Sequence, residues 1–463
     1  MNKLKKSLAL VAMLAIASTA FAACGDSSSV ADSKPADSSS VADASSTESS
    51  DTAASSLSDD GDKLTILCWT DDDLKVMMKE FGNDKVVYQN VGKDGAGAKE
   101  QYTQYFAGGD DADLFVLEAD WILDYIDNDD YCADIAELGF TDDDFKGCYD
   151  YTVSIGTNSK NKLKAVSWQA TPGAYVYRTD LAEKILGVKT REEMQAKCAD
   201  WATFEETAEI AAKEGVAMAD TLGGMWQVYQ YNKETPWAVD NKLVVEDYCS
   251  DYAELAKKWY DNGYVTKEAQ WDNGWYAISE QNKTMGYFFC TWCLGAGSML
   301  SNAEGGVEED GTPKNADLYG KYNICAGPSS YAWGGSWLAV SPKCDNKTLA
   351  HDFVKFFTVD ETTMEQYALA KSEFVNNPTV MKKIVDDKSN KNPLLGGEDQ
   401  FAVLLDAASK IDMDGKITRF DSQIKNNFND AVNKYVKGDI KTVEDMITEF
   451  KTQSAEIEGL TVE

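Results

Sequence analysis

The sequence predicts an α/β fold divided into two domains, and two observations support this prediction. Short apolar runs rich in β-branched residues alternate with segments whose apolar residues recur at helical spacing, as in proteins whose strands and helices follow one another. A chain of 463 residues, even without its polar N-terminal segment, exceeds what one ordinary hydrophobic core holds.

Two apolar runs predict buried parallel strands, each followed by a helix. They are residues 63–71 (KLTILCWTD) and 113–121 (DLFVLEADW), with helices predicted over 74–81 and from Ile122 onward. Ligands of open α/β sheets bind just past the carboxyl ends of the strands. This rule places five polar and aromatic residues at a common site: Trp69, Asp71, Glu118, Asp120 and Trp121.

The remaining chain continues the pattern. Extended segments are predicted at 166–169, 174–178, 284–289, 322–328 and 337–341, and only helices are predicted beyond Asp345. A helix is expected to start at Asp180. Thr203 and Glu206 have the spacing of a capping box, which predicts that a further helix begins at Thr203.

The N-terminus has the form of an export signal. A basic start, an apolar stretch over 8–17 and small residues predict a signal peptide over 1–23. Because Cys24 follows directly, the segment resembles a bacterial lipoprotein signal, in which this cysteine receives a lipid; an ordinary signal peptide with a coincidental cysteine is the alternative. Residues 24–61 are mostly Ser, Asp and Ala and are expected to form a disordered tether, since they contain too few apolar side chains to fold.

Composition excludes several classes of function. The net charge of −34, from 44 basic and 78 acidic residues, argues against nucleic-acid binding, because phosphate contacts need a basic surface. The single histidine, His351, leaves no basis for a histidine-rich zinc site. Nine cysteines besides Cys24 are an odd number, and we expect reduced, buried thiols; the Cys290–Cys293 spacing alone is weak support for a redox or metal site.

Acidic runs offer no strong metal or cofactor site. Residues 411–417 resemble the middle of a calcium loop, but Lys410 would occupy the first ligand position, so a turn between helices is the better interpretation. Residues 142–144 are interpreted as a solvated loop or a helix N-terminus. We expect neither a metal nor a cofactor.

The order of segments resembles the extracellular solute-binding proteins of ATP-driven (ABC) importers, especially the carbohydrate-binding group that includes maltose-binding protein. The stretches that carry the resemblance are 67–71, 165–168 with 177–181, 201–206 and 334–341. The resemblance implies a two-lobed, type II periplasmic-binding-protein-like fold with hinge strands and a ligand cleft. Lobe 1 would comprise 62–165 plus 330–380, and lobe 2 would comprise 166–329 plus 381–463. The chain would cross the hinge near Ala165 and again near Ser329.

The 12 Trp and 22 Tyr suit a carbohydrate ligand. Indole planes stack on the C–H faces of sugar rings, while carboxylates and amides bind the hydroxyls. Trp271 beside Asp272, and Trp275, belong to this pattern. The expected ligand-binding residues are Trp69, Asp71, Glu118, Asp120, Trp121, Trp168, Trp226, Asp272, Trp292, Trp333 and Ser336.

The resemblance therefore implies a monomeric binding protein, anchored at the extracellular face of the membrane through Cys24, that delivers a sugar or oligosaccharide to an ABC permease. A peptide ligand is the alternative within this class. A secreted glycoside hydrolase is the alternative outside it, because such an enzyme also uses paired carboxylates.

Overall fold

The structure is a computed structural model that describes residues 57, 59–69, 72–92, 95–108, 112–277, 281–294, 300, 319–388 and 390–463. The predicted signal peptide, Cys24 and nearly all of the predicted tether lie outside these residues, as does Asp71.

The strands fall into two main sheets. The strands are β1 (Leu64–Cys68), β2 (Val86–Asn90), β3 (Leu114–Glu118), β4 (Ala165–Ser167), β5 (Gly173–Arg178), β6 (Ala238–Val239), β7 (Lys242–Leu243), β8 (Gly286–Cys290), β9 (Tyr322–Cys325) and β10 (Ser336–Val340). The first sheet has the order β2-β1-β3-β10-β4, the second has the order β8-β5-β9, and β6 pairs with β7.

The first sheet confirms the predicted buried parallel strands. β1 runs parallel to both β2 and β3, and the apolar side chains of β1 and β3 are buried. β10 runs antiparallel between β3 and β4 and pairs Ser336 with Glu118 and Trp337 with Ser167. The second sheet is antiparallel throughout, and Gly173 of β5 is opposite Cys290 of β8. Together with the helices, these sheets form the two-lobed α/β fold that the sequence predicts.

Helices account for most of the remaining described chain. The α-helices span Asp72–Phe81, Gly95–Gly108, Leu123–Ile126, Asp150–Ile155, Thr179–Leu181, Arg191–Lys197, Trp201–Lys213, Leu222–Tyr229, Asp247–Asn262, Asn273–Tyr276, Lys347–Thr358, Glu361–Lys371, Pro378–Asp387, Phe401–Ala408, Asp421–Lys437 and Val443–Ser454. A π-helical turn covers Ala182–Leu186. Short 3-10 turns cover Ile135–Leu138, Asp142–Phe145, Gln230–Asn232, Thr291–Cys293 and Pro393–Leu395.

The predicted capping box at Thr203 and Glu206 is wrong. The helix Trp201–Lys213 begins two residues earlier, and its N-cap is Asp200, whose carboxylate accepts a hydrogen bond from the backbone N–H of Thr203 at 2.7 Å. An aspartate is at least as good an N-cap as a threonine. When the helix begins after Asp200, Trp201 lies in its first turn and packs against Phe204 and Trp259.

We call the first sheet with the elements packed on it the first lobe, and the second sheet with its elements the second lobe. The helix Leu222–Tyr229 packs on β8. It also contacts the helix Asp421–Lys437, because Trp226 lies 5.4 Å from Phe428 between ring centroids. The chain segment that leads into Asp421–Lys437 is thereby held on the second lobe.

Three segments pass between the lobes and are joined to one another. The first leaves β4 after Ser167 and enters β5, and the second joins β9 to β10. Bridges between Gln169 and Val375 and between Pro172 and Ala332 connect these segments with a third one near residues 373–376. Ala165 itself pairs with Ala339 inside the first sheet, so the chain leaves that sheet after Ser167. The exact lobe limits stay a prediction.

Candidate functional site

A small cavity that opens to solvent lies between the two lobes. The first lobe contributes the segment after β3 and the end of the helix Asp150–Ile155, while the second contributes Tyr231 and the segment leading into the helix Asp421–Lys437. The lining residues are Ala119, Asp120, Trp121, Leu123, Asp124, Ile155, Tyr231, Met413, Ile417, Thr418, Arg419, Asp421, Ser422 and Lys425. The cavity thus follows the carboxyl end of β3, where ligands of α/β sheets bind.

An ion pair bridges the lobes inside this cavity. Lys425 Nζ of the second lobe lies 3.0 Å from Asp120 Oδ1 of the first. Burial lowers the pKa of Lys425, but the carboxylates of Asp120 and Asp421 outweigh this effect and leave that pKa above its ordinary value. The lysine therefore keeps its charge and neutralises Asp120.

Glu118 lies at the end of β3, next to this pair. Its Oε2 accepts a hydrogen bond from the backbone N–H of Asp120 at 2.8 Å. Burial, followed by repulsion from Asp120, raises the pKa of Glu118 well above its ordinary value. Burial, with Asp120 and Glu118, likewise raises the pKa of the Tyr231 hydroxyl. Glu118 and Tyr231 are therefore polar groups that favour the neutral form, which suits hydrogen bonds to uncharged hydroxyls.

Two consecutive glycines, in the segment that joins β9 to β10, lie close to Glu118. Gly334 and Gly335 have φ values of +65° and +120°, which side chains of L-residues rarely adopt. A Cβ at Gly334 would lie 3.4 Å from Glu118 Oε1 and 3.7 Å from Trp292 Nε1. Trp292 is fixed on this side because its indole N–H donates to the carbonyl of Trp333 at 3.0 Å.

Trp271 extends this aromatic surface into solvent. Its ring lies parallel to that of Trp292, at 4° and 6.4 Å between centroids, and 6.0 Å from that of Trp333. Trp271 is 52% exposed, and its backbone has a φ of +76°. A bulky residue in this conformation is strained, and such strain concentrates at ligand-binding and catalytic positions.

Trp275 packs against Trp271 on the side of the protein interior. The two rings lie 5.6 Å apart, and Trp275 is fully buried. Its indole N–H donates to Asp220 Oδ2 at 2.7 Å. Burial raises the pKa of Asp220 to about 6, although the bond from Trp275 opposes this rise. The exposed indole thus rests on a buried tryptophan–carboxylate pair.

In the first lobe, Trp69 and Trp121 meet as predicted from the strand ends. Their ring centroids lie 5.8 Å apart in an edge-to-face arrangement. Trp121 is only 4% exposed, because Tyr102 and Tyr125 also pack against it at 5.6 and 5.4 Å. Trp121 therefore lines the cavity mainly as part of an aromatic cluster.

The structure places three other predicted residues inside the protein. Trp168 is 2% exposed and stacks on Phe357 at 4.6 Å, and Trp226 packs between helices of the second lobe. Ser336 is buried in β10 beside Glu118, and its carbonyl accepts from the Ser167 hydroxyl at 2.8 Å. These positions favour packing roles for all three.

Of the remaining predicted residues, one is exposed, one is buried and one lies outside the described chain. Asp272 is exposed at the start of the helix Asn273–Tyr276, next to Trp271. Trp333 is buried against Phe289 and Trp292. Asp71 lies outside the described residues. The structure therefore gathers Trp69, Glu118, Asp120 and Trp121 at one edge, and Trp292 and Trp333 across from Glu118.

Sequence reasoning missed the second-lobe wall of the cavity. Tyr231, Arg419 and Lys425 line it, but none of them follows a predicted strand. In the sequence, the segment around 411–417 shows only a weak resemblance to a calcium loop. One available signal was Arg419 itself, since the whole chain has only three arginines, the others being Arg178 and Arg191.

The nine cysteines among the described residues form no disulfide with one another, and all but the half-buried Cys148 are buried. Cys290 and Cys293 lie in and just after β8 with their sulfur atoms 3.6 Å apart. Burial raises the pKa of Cys290 well above its ordinary value, with the nearby Cys293 as a further cause. These thiols behave as small apolar groups of the core.

No helix within the described part of the chain combines the length and apolar character needed to cross a membrane. No curated protein matches the chain.

Solved structures with the same fold cover most of the chain. One is a protein described as extracellular solute-binding protein family 1, with a TM-score of 0.73, 16% identity and coverage of 85% of this chain and 99% of that chain. A second is a binding protein of an ABC transporter from B. animalis subsp. lactis Bl-04, in complex with beta-1,6-galactobiose. Its TM-score is 0.67, with 17% identity and coverage of 87% and 99%. A third is the galacto-N-biose-/lacto-N-biose I-binding protein of an ABC transporter from Bifidobacterium longum, in complex with lacto-N-biose. Its TM-score is 0.66, with 15% identity and coverage of 88% and 100%.

The family model of the bacterial extracellular solute-binding proteins matches residues 77–397, which is more than half of the 463-residue chain. This span includes both sheets apart from β1, and it includes Glu118, Asp120, Trp121, Trp292 and Trp333 but neither Trp69 nor Asp421. The chain therefore belongs to the bacterial extracellular solute-binding protein family, as its sequence predicts.

Proposed function

We propose that this protein binds a sugar or short oligosaccharide between its two lobes, without chemical change, and delivers it to the permease of an ABC importer. The observation that carries this proposal is the half-exposed indole of Trp271, which lies against Trp292 and Trp333. Gly334 in turn lies between Trp292 and the carboxyl group of Glu118. An indole plane beside hydrogen-bonding carboxyl and hydroxyl groups matches the two kinds of surface that a sugar ring presents.

Burial and strain distinguish Trp271 from the other tryptophans of the site. Trp121, Trp275 and Trp333 are buried, and their burial explains why they are tryptophans. Trp271 remains half exposed in a conformation that costs about 1–3 kcal/mol, so packing alone does not account for it. A ligand that stacks on the ring would supply the missing contacts.

The ligands of two structural neighbours support the sugar class. The neighbours from B. animalis and B. longum hold beta-1,6-galactobiose and lacto-N-biose, respectively. Identities of 15–17% support a shared fold but not a shared ligand, so the proposed ligand class is argued from the residues of this chain.

The test is a thermal-shift screen of the purified protein against mono- and oligosaccharides and against peptides, followed by calorimetry on the hits. A ligand present at 100 times its Kd stabilises the folded state by about 2.7 kcal/mol. For the sugars that bind, Trp271→Ala is expected to weaken affinity by about 1–3 kcal/mol, the value of burying one large apolar side chain. Since this ring is half exposed, unliganded stability should change little.

Ile210→Ala is the matched control, because it removes an apolar side chain of similar exposure, 42%, from the helix Trp201–Lys213. It should leave both affinity and melting unchanged. Binding of peptides without any sugar would overturn the carbohydrate assignment. Release of sugar from aryl-glycosides would overturn the assignment as a binding protein in favour of a hydrolase.

We also propose that Cys24 is lipidated and tethers the folded body to the outer face of the cell membrane, where the permease lies. The support is the sequence around Cys24 and the extracellular character of the family. In this arrangement a monomer suffices, because one cleft formed by one chain holds the ligand.

A further inference from the structure

The carboxylates of the interlobe cavity are already compensated. Among the described residues three carboxylates line it, and each is paired with its own lysine: Asp120 with Lys425 at 3.0 Å, Asp421 with Lys233 at 3.3 Å, and Asp124 with Lys99. Asp421 also accepts hydrogen bonds from the backbone N–H and hydroxyl of Thr418, at 2.9 and 2.7 Å. A positively charged ligand group would therefore find no unpaired carboxylate among these three.

Arg419 lines the same cavity without such compensation. The chain has only three arginines. Arg178 is buried and bound to Asp180 and Asn282, and Arg191 is bound to Asn323 and Glu398. Arg419 is exposed and forms no ion pair or hydrogen bond with any residue that the structure describes; its guanidinium lies over the Phe420 ring at 4.6 Å.

Among the described residues that line the cavity, Arg419 is thus a positive charge on the second-lobe wall without a paired carboxylate. Stacking on Phe420 uses the face of the guanidinium, and Nη2 lies beside Gly459, while no described residue accepts a hydrogen bond from the N–H groups at its edge. The planar fork of these N–H groups matches a carboxylate with two parallel hydrogen bonds. Glu118 adds little opposing charge, because burial raises its pKa well above the ordinary value.

We propose that the ligand of this cavity is an acidic sugar, one that carries a carboxylate as a uronic acid does, and that Arg419 binds this carboxylate. The inference rests on the proposed sugar-binding function and narrows its ligand class. The charge of the whole protein makes Arg419 necessary for such a ligand. With a net charge of −34, the surface repels anions at long range, so an anionic sugar binds only where a local cation is available.

The experiment compares sugars that differ only in the carboxyl group. The purified full-length protein is titrated by calorimetry at constant ionic strength with D-galacturonate and D-galactose, D-glucuronate and D-glucose, and the corresponding disaccharides. The same titrations are made with Arg419→Gln, which removes the charge, and Arg419→Lys, which keeps the charge but loses the planar fork. Lys382→Gln is the control, because it removes an exposed positive charge from the helix Pro378–Asp387, away from the cavity. Acetate and inorganic phosphate test binding of an anion alone.

The expected result is that at least one acidic sugar binds more tightly than its neutral partner. Arg419→Gln should weaken that binding about 10- to 100-fold, as expected for a lost hydrogen-bonded charge pair. The affinity of Arg419→Lys should lie between those of the unmodified protein and Arg419→Gln. Lys382→Gln should bind as the unmodified protein does. Melting of the unliganded Arg419→Gln variant should be unchanged, since this side chain is exposed.

Three results would overturn the inference. If only neutral sugars bind and Arg419→Gln leaves their affinity intact, the acidic class is wrong while the sugar-binding proposal stands. If peptides bind through Arg419 and no sugar does, both proposals fail. If acetate or phosphate binds as tightly as every uronate, Arg419 is a general anion site and does not select a sugar acid.

Discussion

Replacement of the buried carboxylate beneath the exposed indole should change the pH dependence of stability in a defined direction. Asp220 is 1% exposed, and its Oδ2 accepts hydrogen bonds from the Trp275 indole at 2.7 Å and from the Thr221 hydroxyl at 3.2 Å. Within the described part of the chain its Oδ1 has no hydrogen-bond partner. An asparagine of the same shape could keep the bonds to Oδ2 without a charge.

The size of the effect follows from the pKa. Burial raises the pKa of Asp220 from the ordinary value of 3.8 to about 6 in the folded protein. At about 1.36 kcal/mol for each tenfold change in proton affinity, the difference corresponds to about 3 kcal/mol. Because the folded state binds this proton more tightly than the unfolded state, the contribution of Asp220 to stability increases as the pH falls from about 6 toward 3.8, and it is lost above about 6.

The assay is urea unfolding of the unmodified protein and of Asp220→Asn at about pH 7.5 and about pH 4.5. The unfolding free energy of Asp220→Asn minus that of the unmodified protein should be about 2 kcal/mol higher at about pH 7.5 than at about pH 4.5. This is most of the total of about 3 kcal/mol, because about pH 4.5 still lies above the unfolded-state pKa. Comparing the two proteins at each pH cancels the titration of the other carboxylates. Asp240→Asn, which removes an exposed carboxylate from the turn after β6, should show no such change.

A difference between the two proteins that stays constant with pH would refute this reasoning. It would mean that Asp220 keeps an ordinary pKa. The hydrogen bonds from the Trp275 indole and the Thr221 hydroxyl would then stabilise its charge as effectively as water does in the unfolded protein. A difference that grows toward low pH would mean that the folded state prefers the ionised carboxylate, which is the opposite of the burial argument.

Three further predictions concern packing, capping and anchoring. Trp121→Ala should cost about 3–5 kcal/mol of unfolding free energy, because it leaves a cavity in the aromatic cluster; normal denaturant unfolding with weakened ligand binding would instead make Trp121 a ligand-stacking residue. Asp200→Ala should lower the unfolding free energy by about 1 kcal/mol through loss of the N-cap, while Thr203→Ala changes it little; equal losses in urea unfolding would return the capping role to Thr203. Cys24→Ser should move the protein from the membrane to the soluble fraction of the cells, and equal membrane retention of both forms would contradict lipidation.

Local sequence was sufficient for much of the fold. The apolar runs around Leu64–Cys68 and Leu114–Glu118 predicted buried parallel strands, and the structure confirms both. Such runs are unambiguous because both faces of a central parallel strand are buried, so nearly every side chain must be apolar. The order of the segments also predicted the family, which the match over 77–397 confirms.

Local sequence was less reliable at element ends. The helix Trp201–Lys213 has two candidate N-caps three residues apart, Asp200 and Thr203, and both satisfy the same hydrogen-bonding rule. The choice between them depends on where Trp201 packs, and its neighbour Trp259 lies on another helix. A pattern confined to a few residues does not contain this information.

The sequence alone determined that this is an acidic, two-lobed α/β protein, and its N-terminal segment predicts export, because periodicity, composition and the form of that segment are local properties. Only the tertiary structure decided which tryptophans are exposed. Trp168 and Trp271 both lie near polar neighbours in the sequence, yet Phe357 stacks on the first at 4.6 Å and it is buried, whereas the second stays 52% exposed beside Trp292 and Trp333. Only the tertiary structure brought Asp120 and Lys425 together from opposite lobes, and it left Arg419 without a carboxylate partner among the described residues. Exposure and charge compensation arise from contacts between segments that are distant in the chain, and the sequence does not reveal these contacts until the chain has folded.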